Sequence, residues 1–381
     1  MKVGILTHPL ETNYGGILQA FALQTALRKM GFDAITIDRH NRVLSEPFAH
    51  HAKWYLKRLF RHYFRSEIIS DRWNPSMTEK DYEVISSNTR RFVESRMSLT
   101  TKVYSDELWK IDRDYAFDAY VVGSDQVWNR YYCPASFLDF VKRDNVRRVF
   151  YAASSSPDIF AGDPSLCQKC RELIAGFDAV SVREKPLVRL AEDSLGVKAE
   201  LVLDPVLLLE PEDFMSKIKS SPEHGAHVFS YILDKTVRKS CIVERVSSLL
   251  SLPVESVNAA KPYVRMWKMH LEDNVFPSVD NWLESLATSS FVVTDSFHGA
   301  VFSILFNKPF VVIGNEMRGI ERFKTLLSTF SLESRLLHSP DELDGIAGAM
   351  IDYENVNNLR KSLKARSIEF LENALTNKAT L

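Results

Sequence analysis

Three junctions between apolar runs and polar turns carry the residue types that handle anions, hydroxyls and protons. The sharpest is Phe291-Val292-Val293-Thr294-Asp295-Ser296-Phe297-His298-Gly299-Ala300, followed by an apolar helical segment and then Pro309-Phe310-Val311-Val312-Ile313. A strand there delivers a polar turn, Gly299 permits close approach, and the free N–H groups of the next helix face the turn. That arrangement binds anions. It also puts His298 at the carboxyl end of a strand, where open α/β sheets collect ligands. Capping of the helix by Asp295 or Ser296, with His298 packed over it, uses the same residues without chemistry.

The second junction, Ala179-Val180-Ser181-Val182-Arg183-Glu184-Lys185-Pro186, runs a strand into a charged turn. A guanidinium at 183 can grip a carboxylate or phosphate through two parallel bonds, and it can equally pair with Glu184 at the surface. In the third, Ala119 to Asn129, an apolar strand ends in Gly123-Ser124-Asp125 and then Trp128. Asp125 suits a general base or an orienter of a sugar hydroxyl, Trp128 suits stacking on a pyranose face, and Ser124 or Asp125 also suits a helix cap. Asn13-Tyr14-Gly15-Gly16 lets backbone approach a ligand but lacks the spacing of a dinucleotide fingerprint. Cys167-Gln168-Lys169-Cys170 has no matching second pair, so it reads as part of an ordinary helix rather than half of a zinc site.

The elements that must position these residues alternate between strand and helix. Strand Lys2–Thr7, helix Ile17–Met30 and strand Ala34–Asp38 form a βαβ start, which implies a parallel sheet. A helical insertion rich in basic and aromatic residues is expected over about 48–96. The rhythm resumes through strands Asp118–Gly123, Val146–Ala153, Ala179–Val182 and Ala199–Leu203. A first domain over 1–210 and a second over 211–352 follow, divided at the polar, proline-bearing stretch from Pro211 to Gly225. The second holds strands near His227–Ile232, Val254–Val257, Phe291–Thr294 and Phe310–Ile313. A final helix over 353–381 can pack back on the first domain. The fold class is α/β, two doubly wound domains facing a cleft.

Composition narrows the function. With 48 basic and 49 acidic residues the formal net charge is -1, too balanced to hold nucleic acid through counterion release. The 4 cysteines in 381 residues make no disulfide scaffold and point to a reducing, cytoplasmic setting. No segment approaches the roughly 18 consecutive apolar residues that span a bilayer. No metal or cofactor motif stands out.

Taken in order, Asn13-Tyr14-Gly15-Gly16, Gly123-Ser124-Asp125-Gln126-Val127-Trp128, Ser181-Val182-Arg183-Glu184, Leu203-Asp204-Pro205-Val206 and Thr294-Asp295-Ser296-Phe297-His298-Gly299 resemble the polysaccharide pyruvyl transferase family over about residues 1–330. The resemblance implies a glycosyltransferase-like (GT-B-like) pair of domains. It also implies transfer of pyruvate from phosphoenolpyruvate, as co-substrate, onto two hydroxyls of a sugar to give a cyclic ketal, with release of phosphate. On this reading His298 is the general acid, with Asp125 as its catalytic companion. The donor lies on the second domain, held by Arg183, Ser296, Gly299, Arg318 and Arg322. The acceptor lies on the first, against Asn13, Tyr14, Gly15, Gly16 and Trp128.

One departure matters: the family pattern has an arginine two residues before the histidine, and here that residue is Ser296. Arg318, Arg322 and Lys308 are the candidate replacements, although two arginines four apart also form an ordinary solvated helix face. The acceptor implied is a hexose such as galactose, carried on a lipid-linked precursor of capsular polysaccharide or exopolysaccharide. Residues 53–65 fit that setting, because helical spacing puts Tyr55, Leu56, Leu59, Phe60 and Tyr63 opposite Lys57, Arg58, Arg61 and Arg65. Such a helix lies in a membrane interface or packs on the first domain. A nucleotide-sugar glycosyltransferase and an inactive sugar-binding protein are the competing readings.

Overall fold

The computed structural model describes residues 1–41, 79–155, 159–160, 163–216, 218, 227–258, 271–314, 319–337 and 339–376. Val3, Ile5 and Leu6 in β1 (Lys2–Leu6) are fully buried, as are Val121 and Val122 in β5 (Ala119–Trp128) and Val292 and Val293 in β11 (Phe291–Thr294). Short runs without polar alternation suit strands covered on both faces, which is the usual state of a parallel sheet. Each large apolar side chain so buried contributes about 1.5–3 kcal/mol relative to exposure.

Two parallel sheets result. The first has the order β2-β1-β5-β6-β7-β8, with β2 (Asp33–Thr36), β6 (Arg147–Ser155), β7 (Ala179–Val182) and β8 (Glu200–Leu201). The second has the order β10-β9-β11-β12-β13, with β9 (Val228–Tyr231), β10 (Val254–Glu255), β12 (Phe310–Ile313) and β13 (Leu336–Leu337). A small parallel ribbon, β3 (Arg39–His40) with β4 (Val103–Tyr104), flanks the first sheet. The ribbon and β13 are too short for a periodicity to announce them.

The helix Tyr14–Lys29 is buried nearly all round, a property of helices that lie inside a structure rather than on it. It shares one apolar cluster with the Pro205–Leu208 turn, the Phe297–Leu305 helix and Trp282, so this core joins the two sheets. The final helix, Tyr353–Thr376, also spans them. Tyr353 donates to the carbonyl of Lys308, while further along Ser367 Oγ accepts from the Leu203 N–H at 3.0 Å and the Ala374 carbonyl accepts from Arg147 at 3.3 Å.

Three boundaries differ from expectation in ways that bear on the site. The first helix begins at Tyr14 rather than Ile17, so Gly15 and Gly16 are helical. β5 continues through Gly123-Ser124-Asp125 to Trp128 instead of ending in a turn, with a register shift against β6 between Asp125 and Trp128. The helix after β11 begins at Phe297, which places His298 in its first turn. Of the expected insertion, helices Glu79–Ile85 and Ser87–Arg96 are seen. Residues 53–65, Arg318 and most of 217–226 lie outside the described residues.

Candidate active site

Each sheet reverses its winding direction once, between β1 and β5 in the first and between β9 and β11 in the second. The crevice at such a switch point is where open parallel sheets bind ligands. His8 follows β1 and Asp125 lies in the outer half of β5, while His298 follows β11. Arg183 and Asp204 follow β7 and β8. The two switch points face each other, and these five side chains form a single chain of contacts.

Arg183 is its centre, with a side chain only 1% exposed. Its Nη2 donates to Asp125 Oδ1 at 2.9 Å, and its Nη1 donates to Asp204 Oδ2 at 2.7 Å and to Ser124 Oγ at 3.0 Å. Its Nε has no partner among the described residues, and the guanidinium carbon lies 4.3 Å from the centre of the Phe297 ring. Asp204 Oδ2 also faces His298 Nε2 at 3.5 Å, without a formed hydrogen bond. At the other end, Asp125 Oδ2 faces His8 Nδ1 at 3.8 Å. The order is therefore His298, Asp204, Arg183, Asp125, His8.

Local backbone explains the delivery. At Gly123, with φ +141°, a Cβ would stand 2.0 Å from the Tyr151 carbonyl oxygen, so only glycine lets β5 pass β6 there. Asp125 itself adopts φ +70°, a left-handed conformation uncommon outside glycine, which turns its carboxylate toward Arg183. Asp204 caps the Pro205–Leu208 turn through Oδ1, which accepts from Val206 N–H at 3.1 Å, leaving Oδ2 for Arg183. Gly15 makes room on the facing helix, because a Cβ there would stand 2.2 Å from His298 Nδ1.

Electrostatics follow from the pairing. Burial pushes the Asp125 carboxyl up, but Arg183, His8, His298 and Arg322 together hold it well below the usual carboxylate range. Asp204 is likewise lowered, with burial opposed first by His298 and then by Arg183. Burial pushes Glu184 up, although it accepts a short hydrogen bond from Ser154. The expected base role for Asp125 meets a physical obstacle here, because a carboxylate so strongly stabilised in its charged form has little affinity for a proton.

Several expected site residues have other duties. Trp128 is 0% exposed, stacked on Phe137 and edge-on to Phe150, so its ring faces the first core and not a sugar. Tyr14 is also 0% exposed; it stacks on Trp282 and donates to the Pro277 carbonyl at 2.8 Å, tying the two halves together. Asn13 is exposed at the N-cap, with its carboxamide folded over the first turn beside Gly16. Ser296 Oγ caps its helix by accepting from Gly299 N–H at 3.4 Å. A Cβ at Gly299 would stand 2.3 Å from Thr294 Oγ1, so this glycine serves the close turn. Lys308 donates to the Ser289 carbonyl at 3.0 Å and so does not replace the missing arginine.

Arg183 itself departs from the expected open anion clamp, since both terminal nitrogens already hold carboxylates. Arg322 is buried beside it, 5.9 Å from the Phe297 ring centre. Next to them a cleft of about 380 Å³ opens between Lys185 and Pro186 on one side and Glu321, Lys324 and Ser328 on the other. Two members of the chain went unread in the sequence as site residues. Asp204 sits in a motif whose proline signals only a turn, and His8 follows the first strand with no pattern around it.

Residues 13–317 match the sequence profile of the polysaccharide pyruvyl transferase family. Among curated proteins none matches the sequence. Among solved structures the fold is similar to that of a Listeria monocytogenes protein assigned as a UDP-N-acetylglucosamine 2-epimerase, with TM-score 0.54, 10% identity, and coverage of 99% of this chain and 97% of that one. It is also similar to S. aureus MnaA in a co-structure with UDP, with TM-score 0.51, 12% identity, and coverage of 98% and 96%. At such identities the likeness speaks for the fold alone, two Rossmann-like domains in a GT-B arrangement. With the profile covering most of its length, the chain belongs to the polysaccharide pyruvyl transferase family.

Proposed function

We propose that this protein transfers pyruvate from phosphoenolpyruvate onto two hydroxyls of one sugar, closing a cyclic ketal. The observation that carries the reading is the histidine–carboxylate–guanidinium chain at the meeting of the two switch points, in a chain of this family. The donor carries three negative charges and an enol ether whose carbon becomes electrophilic only once its methylene is protonated. His298 supplies that proton, a step worth about 10²–10⁴ in rate, and Asp204 orients its ring. A first hydroxyl then adds to the carbon. Phosphate departs, and the second hydroxyl closes the ring. One hydroxyl proton balances the proton given to the methylene and the other leaves on hydrogen phosphate, so charge is conserved.

Donor anions find Arg322 and the N–H groups at the start of the Phe297–Leu305 helix, with Lys185 and Lys324 bordering the adjacent cleft. Arg183 fixes the two carboxylates instead of opening toward solvent. We place the acceptor, a hexose such as galactose on a lipid-linked precursor, on the first-sheet side at the cytoplasmic leaflet. No described helix is long and apolar enough to cross a membrane. In this reading the membrane contact falls to residues 53–65, a stretch rich in basic and aromatic residues.

The test is mass spectrometry of candidate oligosaccharides after incubation with phosphoenolpyruvate. A pyruvyl increment with stoichiometric phosphate supports the reading. The competing reading is nucleotide-sugar transfer, which a GT-B arrangement also accommodates. Release of nucleoside diphosphate from a nucleotide sugar, without phosphate from phosphoenolpyruvate, would replace the proposal with it.

A further inference from the structure

The chain of contacts is nearly symmetric, with a histidine at each end and one guanidinium bridging two carboxylates. One end already has a task in the proposed reaction. We propose that His8 is the second catalytic histidine, the base that takes the proton of the attacking sugar hydroxyl while His298 gives one to the donor's methylene carbon. This rests on the functional reading above and extends it to the acceptor.

Four observations carry it. His8 stands at the carboxyl end of β1, on the switch point of the first sheet, opposite the donor side. Its Nδ1 faces Asp125 at 3.8 Å, yet Nε2 is buried and has no partner among the described residues. A buried imidazole nitrogen without a partner is unfavourable, and an arriving hydroxyl would satisfy it. His8 is also the most open member of the chain, its side chain 14% exposed against 9% for Asp125, 7% for His298 and 1% for Arg183 and Asp204. Finally, Asp125 is occupied by Arg183 and is too acidic to act as the base itself, so it serves to position His8.

The groups facing His8 are Asp125 from β5, Arg39 from β3, Arg183 beyond β7 and the Tyr132 ring at 4.5 Å between centres. Burial, with help from Arg39 and Arg183, lowers the His8 pKa despite Asp125. The ring is therefore neutral at physiological pH and ready to accept a proton. In the addition step the hydroxyl O–H breaks, its oxygen bonds to the donor carbon, and the proton passes to His8 Nε2. The C=C electron pair takes a proton from His298. When the second hydroxyl closes the ketal its proton leaves on phosphate, and the proton on His8 returns to His298 through solvent, restoring both.

The experiment uses the full chain with phosphoenolpyruvate and a hexoside on which wild-type phosphate release is established. His8→Gln is expected to lower kcat by about 10²-fold or more, to leave KM for phosphoenolpyruvate little changed, and to abolish the fall in rate on the acid side of the pH profile. Added imidazole should restore part of the rate to His8→Gly. A kcat within a few-fold of wild type overturns the proposal, as does a loss that leaves the pH profile intact and does not respond to imidazole. Should the variants fail to fold, ¹⁵N imidazole spectra of the wild type decide, because acceptor binding must shift the His8 Nε2 signal and an unmoved signal overturns the role. A wild type that releases no phosphate from phosphoenolpyruvate with any hexoside overturns the functional reading itself, and this role with it.

Discussion

The outer half of β5 and the turn after β11 look alike as sequence, each an apolar strand that runs into small polar residues and an aspartate. Their polar groups do opposite things. At the end of β11 Thr294 donates to the Tyr231 carbonyl; in the turn that follows, Ser296 caps its helix, and Asp295 accepts from the N–H groups of Leu233 and Asp234 and from Lys239. Thr294 and Asp295 tie this turn to the end of β9 and to Lys239 within the second sheet, and Ser296 caps its own helix, so that His298 alone is presented. In β5, Ser124 and Asp125 reach across the first sheet to Arg183 and Asp204. One region uses its polar groups to anchor a turn that carries a single side chain; the other links Ser124 and Asp125 of β5 to the residues that follow β7 and β8 in one charged network.

The largest effect that tests this contrast is loss of the network's centre. Arg183→Ala leaves Asp125 and Asp204 buried without their shared partner, and removing one member of a buried pair costs about 3–5 kcal/mol. Urea denaturation should show a drop of that size. A change in donor affinity alone, with stability intact, would mean that Arg183 acts as a clamp and that the carboxylates find other partners.

His298→Ala comes next. The platform holds without the imidazole, so the fold and donor binding should persist while turnover falls by about 10²-fold or more, equivalent to ~2.7 kcal/mol. Steady-state kinetics beside calorimetric titration of phosphoenolpyruvate would show the split. Equal losses in binding and turnover would assign the ring to anion recognition.

A smaller effect appears with pH. Asp125 and Asp204 have folded-state values below the unfolded aspartate range near ~3.9 because their guanidinium and imidazole partners outweigh burial. The stability they contribute is present above about pH 4 and is lost as pH falls through the folded values. Asp125→Asn should flatten that part of the stability–pH curve, at about 1.4 kcal/mol per unit of the shift removed. An unchanged slope would show that the network does not govern acid sensitivity.

The smallest effect belongs to Ser296. As a cap whose loss costs about 1 kcal/mol, Ser296→Ala should lower the melting temperature modestly and leave kcat within a few-fold of wild type. A large loss of phosphoenolpyruvate affinity would return this residue to the donor pocket.

Much of the fold was legible because strands and helices are written in local patterns. The apolar runs Ala179–Val182, Phe291–Thr294 and Phe310–Ile313 read from sequence with the bounds the structure has. Arg183, next after its run, and His298, four residues past its own, stand out in the sequence by position, although the sequence suggests an anion clamp for Arg183 where the structure has it holding two carboxylates. Trp128 and Tyr14 misled because a large aromatic near a polar turn has the same local signature whether it stacks on a sugar or on Phe137 and Trp282.

What only the tertiary structure decided is which polar groups meet. Arg183 finds Asp204 across 21 residues, Asp125 across 58 and Ser124 across 59, and Tyr14 reaches Pro277 across 263. Periodicity carries no information at such separations. The strand order of the first sheet gathers His8, Asp125, Arg183 and Asp204 at one end of it, and only the packing of the second sheet against that end, across a shared core, adds His298 to the network.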